Sequence, residues 1–299
     1  MSTIVRRILI TGANKGIGLA TVRAVLAEQE DTYVLLGSRS VERGQAARNE
    51  LIGGEPSWAS RVDVLPIDVT DDESVRAAAR EVASRFKEEA APLYAVVNNA
   101  GIGLGDADME TVLNVNTRGP HRVSETFLPL LDPEAGRIVN VSSASGPNFV
   151  ASCSEERQSM LTNPDVTWEE IEDLMEEALA IAAGDGDFEA AGLGSGSAYG
   201  LSKACLNAYT IALARTHPNL LINACTPGFI ETDLTRPFAE AQGVEPQAIG
   251  MKPPEEGTRA QLRLLFGEPG GSGWYFGSDG QRSPLDRYRS PGDPPYTGD

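Results

Sequence analysis

Short apolar runs at residues 8–10, 33–36, 62–65, 94–97 and 137–141 alternate with longer stretches at 18–28, 41–51, 74–86 and 116–131. In the longer stretches apolar residues recur every three or four positions. The short runs are bounded by Gly, Asn, Asp or Ser, so the spacing predicts buried strands joined by amphipathic helices. Strand and helix alternating at this interval imply βαβ units, and hence an α/β fold with a doubly wound parallel sheet. A further helix is expected over 199–216, a strand over 220–224 and a last strand near 274–276.

Two stretches break the rhythm. The first, about 149–197, separates the fifth strand from the next helix. Within it Thr167-Trp168-Glu169-Glu170 matches a capping box, the Thr oxygen capping and the Glu reaching back. Trp168, Ile171, Leu174, Met175, Ala178 and Leu179 then share one helical face, and Gly184 supplies a stop. Most other positions of this helix are acidic, which reads as a solvated face on a helix packed over the domain. The second stretch, 281–299, is rich in Pro, Gly, Asp and Arg and is expected to be an irregular or mobile tail. The organisation is thus one domain over 1–280, carrying a helical insert, and a tail over 281–299.

Composition narrows the partners. Hydrophobic residues make up 41% and charged residues 23% of 299 positions, as in a globular protein with a substantial core. No run approaches the roughly 18 apolar residues of a membrane helix. A net charge of -18 repels phosphate backbones and anionic lipid, so neither nucleic acid nor a membrane surface is an expected partner. Cys153, Cys205 and Cys225 are scattered and lack metal-ligand spacing, which fits reduced thiols, and no metal is expected. Cys225 reads as a small buried core residue. A strand-like segment begins almost at the first residue and leaves no room for a signal peptide, so the cytoplasm is the expected compartment. His121 and His217, the only histidines, are far apart in sequence and read as packing or surface residues.

Candidate chemistry begins directly after the first strand, at Thr11-Gly12-Ala13-Asn14-Lys15-Gly16-Ile17-Gly18. Glycines between a strand and a helix let the backbone turn sharply and approach a pyrophosphate, which rests on helix N–H groups. At the end of the second strand, where an acid would grip a ribose 2′-hydroxyl, the sequence has Gly37-Ser38-Arg39. Arg39 can form two charge-assisted bonds to a 2′-phosphate, with Lys15 as a second cation, so the pattern predicts NADP(H). Farther on, Tyr199-Gly200-Leu201-Ser202-Lys203 places Tyr199 and Lys203 one helical turn apart. A cation beside a phenol is expected to lower its pKa toward a useful range for acid–base work. Ser143, at the end of the fifth strand, can hydrogen-bond a carbonyl oxygen.

These residues resemble the short-chain dehydrogenase/reductase family over about residues 6–280. The likeness rests on the glycine loop, Asp68-Val69, Asn98-Asn99-Ala100-Gly101, Asn116, Ser143, the Tyr199/Lys203 pair and Pro227-Gly228-Phe229-Ile230-Glu231-Thr232. The resemblance implies that Asp68 and Val69 hold an adenine, and that Asn98, Ala100 and Gly101 line the cofactor groove. It also implies that Asn116 supports a water relay to Lys203, that Thr232 contacts the nicotinamide amide, and that Pro227 and Gly228 belong to the cofactor site. Within the family the chain is most similar to the monomeric carbonyl reductases and to plant reductases of terpenoid and alkaloid ketones. Asn14-Lys15, the segment Arg39 to Ala47 and the long insert before Tyr199 carry that likeness, and the insert implies a monomer. The expected activity is NADPH-dependent reduction of a ketone, aldehyde or quinone, with Tyr199 as general acid. The alternative is a non-catalytic NADP(H)-sensing protein, although such proteins usually lose the tyrosine or lysine. Pocket residues are expected from 103–108, 145–150, 229–242 and the tail, and their types name no particular substrate.

Overall fold

The computed structural model describes residues 5–103 and 107–298. Its centre is one eight-stranded sheet: β1 (Arg6–Ile10), β2 (Thr32–Ser38), β3 (Val62–Pro66), β4 (Leu93–Asn98), β5 (Arg137–Val141), β6 (Leu221–Cys225), β7 (Tyr275–Phe276) and β8 (Arg282–Ser283). The order is β3-β2-β1-β4-β5-β6-β7-β8. β1 to β7 are parallel, and β8 closes the edge antiparallel to β7. The central strands read as near-continuous apolar runs because both faces are covered: all five residues of β5 are buried.

Alternate side chains feed two cores. Ile8, Ile10, Val34, Leu36, Val97 and Val139 meet helices α1 (Gly16–Glu28), α2 (Val41–Gly54) and α11 (Arg259–Phe266). Leu9, Leu35, Val96, Ile138 and Ile222 meet the other layer, built from α3 (Asp72–Arg85), α4 (Met109–Leu113), α5 (Gly119–Phe127) and α9 (Ala198–Thr216). The chain passes from β1 to β2 on one side and later returns to β4 on the other. That reversal opens a crevice at the carboxyl ends of β1 and β4, the usual ligand position in such sheets.

The helix expected over 116–131 starts earlier, at Met109, and is interrupted by a π-helical turn at Asn114–Arg118 before α5. The insert forms three helices: α6 (Ser145–Ser152), α7 (Glu155–Leu161) and α8 (Trp168–Ala180). The capping box of α8 is formed in both directions between Thr167 and Glu170. Trp168 stacks on His121 of α5 with ring centroids 3.7 Å apart, and both meet Tyr209 of α9 edge-on.

The C-terminal segment is largely irregular, but it is tied down. Arg289 grips the Asp279 carboxylate through two contacts of 2.5 and 2.7 Å, and this pair is nearly buried. Arg282 lies between the Trp274 and Tyr296 rings. A further short helix, α10 (Arg236–Gln242), follows the β6 loop. No helix among the described residues is long and apolar enough to cross a membrane. Among the described residues no cluster of His, Cys, Asp or Glu is arranged to hold a metal ion.

Candidate active site

One end of the crevice is built from backbone. The Thr11 hydroxyl accepts hydrogen bonds from the Asn99 and Ala100 N–H groups at 3.0 Å, and Asn99 Nδ2 donates back to the Thr11 carbonyl at 2.9 Å. The loops after β1 and β4 are stapled together in this way. Gly12 has φ +63°, and a Cβ there would lie 2.8 Å from Ala100 Cα; a Cβ at Gly18 would lie 2.7 Å from the Gly12 carbonyl oxygen. Only glycine allows so close an approach. Helix α1 begins at Gly16, and no side chain caps it. Its first N–H groups and positive dipole end therefore face the crevice, with Asn14, Lys15 and Ile17 around them.

At the outer end Arg39 stands exposed just beyond β2. Arg43, also exposed, lies in the first turn of α2, which Ser40 caps by accepting from the Arg43 N–H. Asp68 follows β3 and is held by Thr70, whose N–H and hydroxyl both donate to Asp68 Oδ1. Val69 is nearly buried beside Gly119. Lys15 departs from the expected arrangement: it pairs with Asp233 at 2.6 Å, across the crevice mouth. The Asn98 side chain lies beneath the groove, donating to Ser124 and Asn140 inside the core. These features fit a dinucleotide carrying an extra phosphate: an uncapped helix end, a cradle that any Cβ would fill, and no carboxylate at 37–40.

The other end is built from side chains. Ser197 caps α9 by accepting from the Gly200 N–H, which fixes the turn bearing Tyr199. Lys203, one turn on, is only 4% exposed, and its Nζ donates to the Val141 carbonyl at 3.0 Å. That nitrogen sits 5.7 Å from the centre of the Tyr199 ring. The Ser145 N–H donates to Ser143 Oγ at 3.1 Å, and Ser143 Oγ donates to the Ser145 hydroxyl at 3.3 Å.

Electrostatics differ from the expectation for the Tyr/Lys pair. Burial raises the Tyr199 pKa above its usual value, and a hydrogen bond with Ser143 opposes the shift without cancelling it. Burial lowers Lys203 to about 8, partly offset by nearby Cys225. Desolvation wins at both groups, because Lys203 points at a carbonyl instead of the phenol. At neutral pH the phenol keeps its proton.

Asn116 lies in the π-helical turn and is fully buried. Its Oδ1 accepts from the Ile102 N–H at 2.9 Å, and its Nδ2 donates to the Ile102 carbonyl at 2.9 Å and to Ser202 Oγ at 3.1 Å. Ser202 in turn donates to the Tyr199 carbonyl. A Cβ on Gly101 would sit 3.3 Å from Asn116 Oδ1 and 3.7 Å from Lys203 Nζ, so both polar atoms converge on the Gly101 backbone. Ser202 and the Val141 and Ile102 backbone were not singled out from sequence; carbonyls leave no sequence signal.

The loop after β6 closes the site. Gly228, with φ +93°, lies against Ser278, and Thr232 lies over Gly16. Leu234 packs on Gly103. Of the expected pocket stretch 103–108, residues 104–106 lie outside the described residues. Ser143, Tyr199, Lys203, Asn116 and Gly101 therefore share one end of the crevice. Gly12, Gly16, Gly18, Ala100 and Thr232 share its middle, while Arg39, Asp68 and Val69 follow the ends of β2 and β3 on the other side.

Comparison with known proteins gives a consistent picture. The family model for short chain dehydrogenases matches residues 6–155. Carbonyl reductase (NADPH) 1 of Homo sapiens is 33% identical over 288 residues, covering 91% of this chain and 95% of that protein. Salutaridine reductase from Papaver somniferum superposes with a TM-score of 0.74 at 27% identity, covering 90% of this chain and 99% of that one. Menthone neomenthol reductase from Mentha piperita gives 0.72 at 26% identity, covering 92% and 99%.

Proposed function

Because the chain belongs to the short-chain dehydrogenase/reductase family, we propose that it reduces the carbonyl of a small-molecule ketone, aldehyde or quinone to an alcohol, using NADPH. The observation that carries this reading is the meeting of Ser143, Tyr199 and Lys203 beside a glycine cradle that accepts a dinucleotide. When bound, NADPH supplies the hydride.

The glycine loop and the α1 N-terminus would hold the pyrophosphate, Arg39 the 2′-phosphate, and Asp68 and Val69 the adenine. Ala100 and Gly101 would line the groove, with Pro227, Gly228 and Thr232 toward the nicotinamide. The hydroxyls of Ser143 and Tyr199 hold the substrate oxygen and stabilise the negative charge it gains. Tyr199, protonated at neutral pH, donates the proton. Lys203 supplies positive charge below pH about 8. Asn116 supports a water relay through which Lys203 and then Tyr199 recover a proton from solvent.

The stretches expected to border the pocket support neutral, apolar substrates: Phe229 and Phe238, within 229–242, and Tyr288 of the tail are among the large apolar side chains left exposed. We also read the chain as a cytoplasmic monomer. Three free, buried cysteines support the reducing compartment. The insert covers the outer face of α9, supporting the monomer.

The test follows NADPH and NADH consumption against quinones, diketones, aromatic aldehydes and monoterpene ketones, with wild type and Tyr199→Phe. Turnover that requires NADPH and falls by roughly 10³-fold or more in the variant is the expected result. Tight NADPH binding without turnover of any carbonyl would favour a sensor instead.

A further inference from the structure

The insert helix α8 bears on the catalytic machinery at one point. Arg118, the last residue of the π-helical turn, donates through Nε to Glu172 at 2.7 Å and through Nη1 to Glu110 at 3.0 Å; its Nη2 also pairs with Glu176. Glu172 and Glu176 lie one turn apart on α8, and Glu110 lies on α4. The Arg118 side chain is only 15% exposed, so solvent screens these pairs less than ordinary surface contacts. Burial works against its charge, yet Glu172, Glu110 and Glu176 together outweigh that effect and raise its pKa. A planar guanidinium gripped from two helices fixes the backbone that carries it.

That backbone carries Asn116 two residues earlier. A π-helical turn holds its residues less tightly than a regular helix and recurs at functional positions. Here the adjoining Thr117 hydroxyl donates to the Ser202 carbonyl at 2.9 Å, and Asn116 bridges Ile102 and Ser202. The turn is therefore gripped from inside by α9 and from outside by α8. The acidic face of α8, read from sequence as simply solvated, includes the outer half of this grip.

We infer that Arg118, clamped by Glu172 and Glu176 of the insert, is a positioning residue that sets Asn116 for the proposed proton relay to Lys203. The inference rests on the proposed proton path through Asn116. The insert thereby acts on the rate of proton return as well as covering α9.

The experiment compares Glu172→Gln/Glu176→Gln with Glu169→Gln/Asp173→Asn, which removes the same charge from the same helix away from Arg118. The first pair is expected to lower kcat about tenfold, a part of the roughly 10²-fold that proton handling contributes. KM for carbonyl substrate and NADPH affinity stay within about twofold, and the solvent deuterium isotope effect on kcat rises. The control pair leaves all of these unchanged. Arg118→Lys keeps the charge but not the fork and falls between. In an Asn116→Ala background the clamp variant costs nothing further, because both changes act at one point.

An equal loss from both pairs, or an additive loss in the Asn116→Ala background, overturns the clamp. If Asn116→Ala alone leaves kcat unchanged, the proton path itself fails. Asn116→Ala slowing catalysis while the clamp variant does not would leave that path intact and sink only the role of Arg118. Thermal melting of each variant separates a folding defect from a shift in rate.

Discussion

The two ends of the crevice use positive charge in opposite ways. At the phosphate end Arg39 and Lys15 are exposed, and the shape of the site comes from glycine backbone. At the carbonyl end Lys203 is 4% exposed, and the shape comes from side chains that hold one another. An exposed cation costs little to keep charged and selects its ligand by attraction and fork geometry. A buried cation is held against desolvation, acts at short range and is sensitive to pH. On the proposed function, recognition sits where water reaches, and chemistry sits where it does not.

Lys203→Met should break this contrast most strongly. Removing the buried charge is expected to lower kcat/KM about 10²–10⁴-fold. Yet Met fills the apolar stem's volume and relieves the desolvation, so the melting temperature should hold or rise, a trade often seen at active sites. The pH profile gives an independent reading. Because burial depresses the Lys203 pKa to about 8, wild-type kcat/KM for reduction should fall as pH rises through that value. The variant should lack that falling limb. A melting temperature that drops along with activity would show that Lys203 supports the fold and would erase the distinction between the two ends.

Arg39→Asp probes the open end and should act on recognition alone. A charge-assisted contact contributes about 1.5–3 kcal/mol, so KM for NADPH should rise roughly 10–100-fold. KM for NADH should fall, since an acid at this position can accept from a ribose 2′-hydroxyl. Melting temperature and the kcat reached at saturating cofactor should not move. Steady-state kinetics with both cofactors decides it. An unchanged NADPH preference would transfer the phosphate contact to Arg43 or Lys15.

The same contrast explains what could be read from sequence. The glycine loop, Arg39, and Tyr199 with Lys203 are local signals: each spacing is set within one turn or one helix start. The supports of the carbonyl end are not local. Asn116 is held by Ile102 and Ser202, 14 and 86 residues away. The π-helical turn that carries it shifts the 3.6-residue phase, so the apolar pattern hides the helix's true start at Met109. The Asn98 side chain ties Ser124 to Asn140 inside the core, 26 and 42 residues away. The C-terminal segment has no apolar period at all. Its order comes from the Arg289–Asp279 pair and from Arg282 between two rings, contacts that composition does not announce.

The smallest expected effect lies outside the crevice, where α8 docks through Trp168 on His121. Burial lowers the His121 pKa to about 4; Arg122 adds to the shift, and Glu169 opposes it. The folded state thus holds this proton less tightly than the unfolded chain, whose imidazole titrates near 6.5. The sign follows: the stacked contact has its full strength above pH 6.5 and weakens steadily as pH falls toward 4. His121→Phe keeps a ring against Trp168 and cannot take up a proton. Melting curves from pH 7.5 to 4 should therefore start close together, with wild type falling behind by about a few degrees at the acid end. The ring is partly exposed, and solvent screening keeps the difference modest. Curves that stay parallel across this range would mean that His121 can take up its proton while stacked, and the docking of α8 would then owe nothing to its neutral state.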